Sequence, residues 1–173
     1  SGVKVRYAYD GAGRVLTRRV DPAGLNLVTT YTYDAKGQTI KVVDPSGVRT
    51  DYGLDLAGQV TEIVVDVAGL ALRTHYQYTR AGEIASIREG VGTSAERYIT
   101  YSYDNLNRRI GEQTGDAGLH VQTSYDYDAN DNVVRRTDRL NASQTVVTRY
   151  VYDAENRLTW TVDPAGGVTR NIY

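Results

Sequence analysis

The chain has 173 residues, with 20 Lys and Arg against 21 Asp and Glu, 15 Tyr, one Trp and no Cys, Met or Phe. Without cysteine it can hold no disulfide scaffold, thiolate zinc site or cysteine nucleophile, and a net charge of −1 spread evenly along the chain lacks the concentrated basic surface that nucleic acid demands. No apolar run is long enough for a transmembrane helix or a signal-peptide core, whereas 40% hydrophobic residues suffice for a folded domain.

A short pattern, Y-x-Y-D, recurs from one end to the other, with its starts 24, 21, 24, 25, 24 and 25 residues apart. A fixed period of this size marks a repeat architecture. The first copy runs Val3, Val5, Tyr7, Tyr9 at strict period two, which predicts a strand, followed by Asp10 and Gly13 in a turn and by Asp21-Pro22-Ala23-Gly24 at the far end. The second has Leu27, Thr29, Tyr31 and Tyr33, then Asp34, Gly37 and the far turn Asp44-Pro45-Ser46-Gly47. In the third, Val48, Thr50 and Tyr52 lead to Leu54 in place of the second Tyr, with Asp55, Gly58 and Asp66-Val67-Ala68-Gly69. The fourth carries Tyr76, Tyr78 and Gly82, and Thr79 stands where the others have Asp.

The last three copies change the turn residue. The fifth has Tyr101, Tyr103, Asp104 and Asn107, with Asp116-Ala117-Gly118 at the far end; the sixth has Tyr125, Tyr127, Asp128 and Asp131. The seventh has Tyr150, Tyr152, Asp153 and Asn156, closing with Asp163-Pro164-Ala165-Gly166. Gly, Asn and Asp reach positive φ at least cost, so all seven copies fit one left-handed turn position. The Asp before it is placed to bond backbone amides in a hairpin carrying a G1-type bulge or a longer loop. In the D-P-x-G turns, Pro suits the first corner and Gly the left-handed exit. The outgoing strands alternate less cleanly, and either a bulge or burial of both faces accounts for that. No segment has a 3.6-residue period, so the expectation is an all-β antiparallel meander of 14 to 15 strands forming a single array over 1–173.

Alternation places Tyr with Val, Leu and Thr on one face, and Arg6, Thr30, Asp51, His75, Thr100, Ser124 and Arg149 on the other. The Tyr face is expected to be buried, by curling of the sheet, packing on itself or self-association, and the sheet edges offer a second route to self-association. Enzymatic readings are weaker. Asp126 and Asp128 could serve as an acid and base, but Asp128 sits at the repeated turn position and Asp126 on the polar face, whereas an active site is a unique constellation. His75 and His120 read as solvated surface residues, no metal or cofactor set is apparent, and the glycines match no phosphate-binding loop. Carbohydrate or receptor binding through Tyr rings is the alternative to a structural role.

The tandem Y-x-Y-D-x-x-G-R units, such as Tyr7-Ala8-Tyr9-Asp10-Gly11-Ala12-Gly13-Arg14, with their D-P-x-G turns, closely resemble the YD repeats of the Rhs family over practically the whole chain. The resemblance implies a β-sheet that spirals into a hollow shell. In bacterial Rhs effectors and insecticidal toxin complexes the shell encloses a C-terminal toxin domain, and in teneurins it belongs to an extracellular adhesion protein. It implies a secreted or cell-surface parent, with further repeats and a toxin domain as partners. The start at Ser1-Gly2 without Met and the end inside an eighth copy, Asn171 to Tyr173, read as a piece of a longer polypeptide. Nothing matches the family's self-cleavage region.

Overall fold

The computed structural model describes residues 3–116 and 120–173, and the regular elements among them are all strands. In chain order these are β1 (Val5–Tyr9), β2 (Val15–Val20), β3 (Leu27–Tyr33), β4 (Thr39–Val43), β5 (Arg49–Leu54), β6 (Val60–Val65), β7 (Leu72–Tyr78) and β8 (Ile84–Glu89). They continue with β9 (Arg97–Tyr103), β10 (Arg109–Gly115), β11 (His120–Tyr127), β12 (Val133–Arg139), β13 (Thr145–Tyr152), β14 (Leu158–Val162) and β15 (Val168–Arg170). The 15 strands form one open sheet whose spatial order is the sequence order, so the expected all-β meander is what the chain adopts.

The chain divides into two compact units, Ser1–Tyr76 with Glu89–Ser94, and Gln77–Arg88 with Ala95–Tyr173. In the first, β1 to β6 pair antiparallel in succession, and β6 pairs with β7 from Glu62 opposite His75 to Val65 opposite Leu72. In the second, β9 to β15 pair in the same way.

The irregular outgoing strands are explained by a bulge. Tyr9 faces Val15 while Ala8 faces Thr17, leaving Leu16 as an extra residue. The same step leaves Ile40, Thr61, Ile110, Val134 and Thr159 unopposed in β4, β6, β10, β12 and β14. Each extra residue reverses the in–out alternation of its strand, because the side-chain period is two.

Two of the far turns follow expectation and two do not. Gly47 and Gly166 carry φ of 87° and 88°, and each turn is closed by its Asp carboxylate, Asp44 on the Ser46 and Val48 amides and Asp163 on those of Ala165 and Gly167. At Asp21-Pro22-Ala23-Gly24, however, the positive φ belongs to Asp21 (50°) and Asn26 (47°), not to Gly24. The turn is one residue longer, with the Asn26 amide donating to the Asp21 carbonyl, and Gly24 leaves room for the Asp21 carboxylate, which accepts the Leu25 amide at 3.0 Å. Asp66 and Ala71 repeat this form, with φ of 57° and 48°. The Asp116-Ala117-Gly118 turn lies partly outside the described residues, as does Ser1-Gly2.

Among the described residues, this chain alone does not bury the Tyr face; self-association, one of the three expected routes, involves a second copy. Among the described residues only Val64, Gly115 and Thr123 are buried; the Tyr columns from β3 to β13 are half-buried, and Tyr7 and Tyr9 on the edge strand are 50% and 57% exposed. Neighbouring strands shield the flanks of the rings, but none of the described residues forms a second layer over the face.

Candidate functional site

The most ordered chemistry in the molecule is the repeated turn after each second Tyr. In the first copy the Asp10 carboxylate accepts the amides of Ala12 and Arg14 through one oxygen, each at 2.9 Å, while the other oxygen takes the Arg14 guanidinium at 2.6 Å. Backbone bonds from Gly13 to the Asp10 carbonyl and from Asp10 to the Arg14 carbonyl complete the loop. Asp34, Asp104, Asp128 and Asp153 hold the corresponding amides, and Asp55 holds that of Gln59. Thr79 does the same through its hydroxyl, at 3.2 Å to Ala81 and Glu83.

The fourth turn position has positive φ in every copy: 80°, 85°, 86° and 96° at Gly13, Gly37, Gly58 and Gly82, and 60°, 66° and 60° at Asn107, Asp131 and Asn156. The bonding shifts the carboxylates. The Arg14 and Arg157 amides hold Asp10 and Asp153 below the usual Asp value; the Asn132 side-chain amide does so for Asp128 and the Ser46 hydroxyl for Asp44. For Asp104 desolvation pulls upward, but the Arg108 amide and guanidinium outweigh it.

Several of the turns are tied to the next repeat, in two ways that sequence reasoning missed. The first is a hydroxyl bond from the second Tyr of one repeat to the carbonyl of the first residue of the outgoing strand of the repeat before it. Tyr33 donates to the Val15 carbonyl at 2.8 Å, Tyr103 to Ile84 at 2.9 Å, Tyr127 to Arg109 at 2.7 Å, Tyr152 to Val133 at 3.1 Å and Tyr173 to Leu158 at 3.0 Å. The ladders explain why a hydroxyl is needed. β2 pairs with β3 only as far as Thr17 opposite Thr30, and β12 with β13 as far as Arg135 opposite Arg149, so Val15 and Val133 lie beyond the backbone ladder. A phenol reaches where the next strand's amide does not, and it satisfies a carbonyl that partial burial would otherwise penalise.

The second tie is the Arg of Y-D-x-x-[GN]-R. Arg14, Arg108 and Arg157 each bind their own Asp and lay the guanidinium over the second Tyr of the following copy, 4.9 Å from Tyr33, 4.7 Å from Tyr127 and 5.2 Å from Tyr173. Arg108 also reaches Asp131 at 2.7 Å. In the sixth copy Asn132 replaces the Arg and bonds across to Asn156 at 2.9 Å.

In the first Tyr column, Tyr7 lies 6.3 Å from Tyr9, and Tyr101 and Tyr125 sandwich Arg109 at 5.5 and 5.4 Å. Tyr31, Tyr52 and Tyr150 stand opposite Val42, Ile63 and Thr161. Tyr76 and Tyr78 end β7, both half-buried. The suggested acid–base pair is separated by function: Asp126 is ion-paired with Arg135, and Asp128 is bound into its turn. Neither His is simply solvated. His75 bonds Glu62 at 3.0 Å beside Arg73, and His120 Nδ1 bonds the Tyr98 hydroxyl at 2.7 Å. Among the described residues no cluster of His, Cys, Asp and Glu could hold a metal, and no helix is long and apolar enough to cross a membrane.

The RHS Repeat family model matches residues 33–71 and 127–168, two stretches that each open on a second-column Tyr. Those two stretches are RHS repeats. No curated protein matches the sequence. Among solved structures, the crystal structures of TcdB2-TccC3-Cdc42 and of TcdB2-TccC3-TEV share its fold, at 20% identity over 91% of this chain, with TM-scores of 0.74 and 0.75. TcdB2-TccC3 without its hypervariable C-terminal region aligns equally well, at 0.74. This chain spans about 9% of the length of those proteins.

Proposed function

We propose that the chain is one continuous stretch of wall in the β-shell of an Rhs-type polymorphic toxin, which encloses a C-terminal toxin domain for delivery, and that it has no catalytic activity of its own. The observation that carries this reading is the recurrence in all seven copies of a turn closed by an Asp or Thr side chain, joined to the next copy by the hydroxyls of Tyr33, Tyr103, Tyr127, Tyr152 and Tyr173 and by Arg14, Arg108 and Arg157. A device repeated in every unit serves construction, whereas catalysis needs a constellation that occurs once. The half-exposed Tyr face fits a surface completed by the remaining repeats and by the enclosed domain, which are the expected partners. A secreted or cell-surface parent follows from the same family reading.

The test is protease protection in the parent polypeptide. With the array intact, the domain downstream of the repeats should survive limited proteolysis. With Tyr101→Ala and Tyr103→Ala together it should be cut at least tenfold faster. A downstream domain that is equally accessible in both proteins would refute the enclosing role.

A further inference from the structure

On the polar face of the second unit, Gln113, Gln122 and Arg139 stand directly opposite one another across β10, β11 and β12. All three are exposed, and none makes a side-chain hydrogen bond or ion pair with a described residue. Other polar side chains on this face are joined to one another, Glu62 to Arg73 and His75, Asp126 to Arg135, Arg88 to Glu96, and Gln77 to Ser86, while among the described residues Arg6, Lys41 and Arg149 stand singly without the neighbouring amides of this row. The unjoined row lies along two adjoining depressions of about 310 and 270 Å³ that share Gln122 and Arg139. Each approaches the lower end of small-ligand sites, on the order of 300 Å³.

The larger depression is flanked by the His120 ring, Leu140 and Ala142. His120 is held by Tyr98, the one Tyr outside the two repeat columns, and this pair lies down over the sheet because β10 has Gly115 beneath it. A Cβ there would come within 2.7 Å of the Tyr98 ring and hydroxyl and of His120 Nδ1. Among the described residues lining the two depressions there is no carboxylate, and Arg139 is the one permanently charged group in both.

We propose that this row binds an acidic oligosaccharide. Planar amides two strands wide suit the paired donors and acceptors of vicinal hydroxyls. A guanidinium without an internal partner suits a sugar carboxylate, and the His120–Leu140 flank offers an apolar wall to a pyranose ring. Tyr98 acts as a positioning residue. The site uses none of the repeated turn residues and does not depend on the wall reading.

The experiment is an amide NMR titration of the intact 173-residue chain with sialyllactose, lactose and an acidic glutamate peptide. Saturable shifts centred on Gln113, Gln122 and Arg139, with lactose at least fivefold weaker and the peptide inert, are the expected result. Arg139→Gln should erase the preference for sialyllactose, and Gln122→Ala should weaken both sugars, each with an unchanged melting temperature because both side chains are exposed. Absence of saturation, equal binding of the peptide, shifts centred on the Tyr columns, or an Arg139→Gln protein that keeps its preference would each overturn the proposal.

Discussion

At the scale of single residues, the phenol hydroxyl and the left-handed turn position do separable work. Tyr103→Phe keeps the ring between its neighbours and deletes only the bond to the Ile84 carbonyl. A neutral bond of this kind is worth about 1 kcal/mol, so the expected loss is about that size in urea unfolding with the m-value unchanged. The third repeat shows that the tie is dispensable at one position, since Leu54 has no hydroxyl to donate. At Gly37, where φ is 85°, a Cβ would meet nothing closer than the Arg14 guanidinium at 3.4 Å, so substitution there is a conformational question and not a steric one. Gly37→Ala should cost about 1–2 kcal/mol, the penalty of a left-handed L-residue. Gly37→Asn should cost less than Gly37→Ala, because Asn107 and Asn156 already occupy this conformation. Chemical denaturation of the two variants side by side measures the difference.

At the scale of the hairpin, the Asp–Arg–Tyr chain converts local turns into an array. Arg108 bonds Asp104 within its own turn and reaches Asp131 and the Tyr127 ring in the next, so its loss should be felt in both hairpins. Arg108→Gln should lower the melting temperature by roughly 2–4 °C, and hydrogen exchange should speed up in the turns at 104–108 and at 128–132 together. Faster exchange in the first turn alone would show that the Arg is a local cap and not a tie.

The same carboxylates set the acid response. The depressed values of Asp10, Asp44, Asp104, Asp128 and Asp153 mean that the folded state binds protons less readily than the unfolded chain. Their stabilisation is therefore fully present above the unfolded Asp value of about 3.9 and is lost as pH falls through the lower folded values. Melting temperature should be flat from neutral pH to about 5 and fall steeply below about 4, with a shallower fall in Asp104→Asn. The turns were legible in the sequence because Asp and Gly, Asn or Asp recur at fixed offsets. The bulge was not, because Leu16, Ile40 and Ile110 are ordinary strand residues whose extra place shows only once the partner strand is in register. The hydroxyl ties were hidden for the same reason: Tyr33 and Val15 lie 18 residues apart and meet only across a completed ladder.

At the scale of the whole molecule, the decisive quantity is surface. The chain exposes 11511 Å², whereas a compact globular protein of 19.1 kDa exposes about 8,400 Å². The excess agrees with the small number of buried residues among those described. Alternation correctly placed Tyr, Val and Leu together on a face, but periodicity reports which residues share a face and not whether anything lies on it. A repeat array draws its stability from each unit's own turns and from the interfaces between neighbours, and terminal units lack one neighbour. In β1, Tyr7 and Tyr9 have a strand on one side only and are the most exposed of the column Tyr residues in the first seven copies. Extending the chain at each end by two repeats copied from its own central units should therefore raise the melting temperature by several degrees. It should also slow exchange most in β1 and β15, while the central turns change little. Scanning calorimetry with residue-resolved hydrogen exchange makes the comparison. If extension leaves the edge strands as labile as before, the uncovered Tyr face limits stability and missing neighbours do not; in that case, self-association at high protein concentration, followed by sedimentation, should protect the Tyr columns in place of the edges.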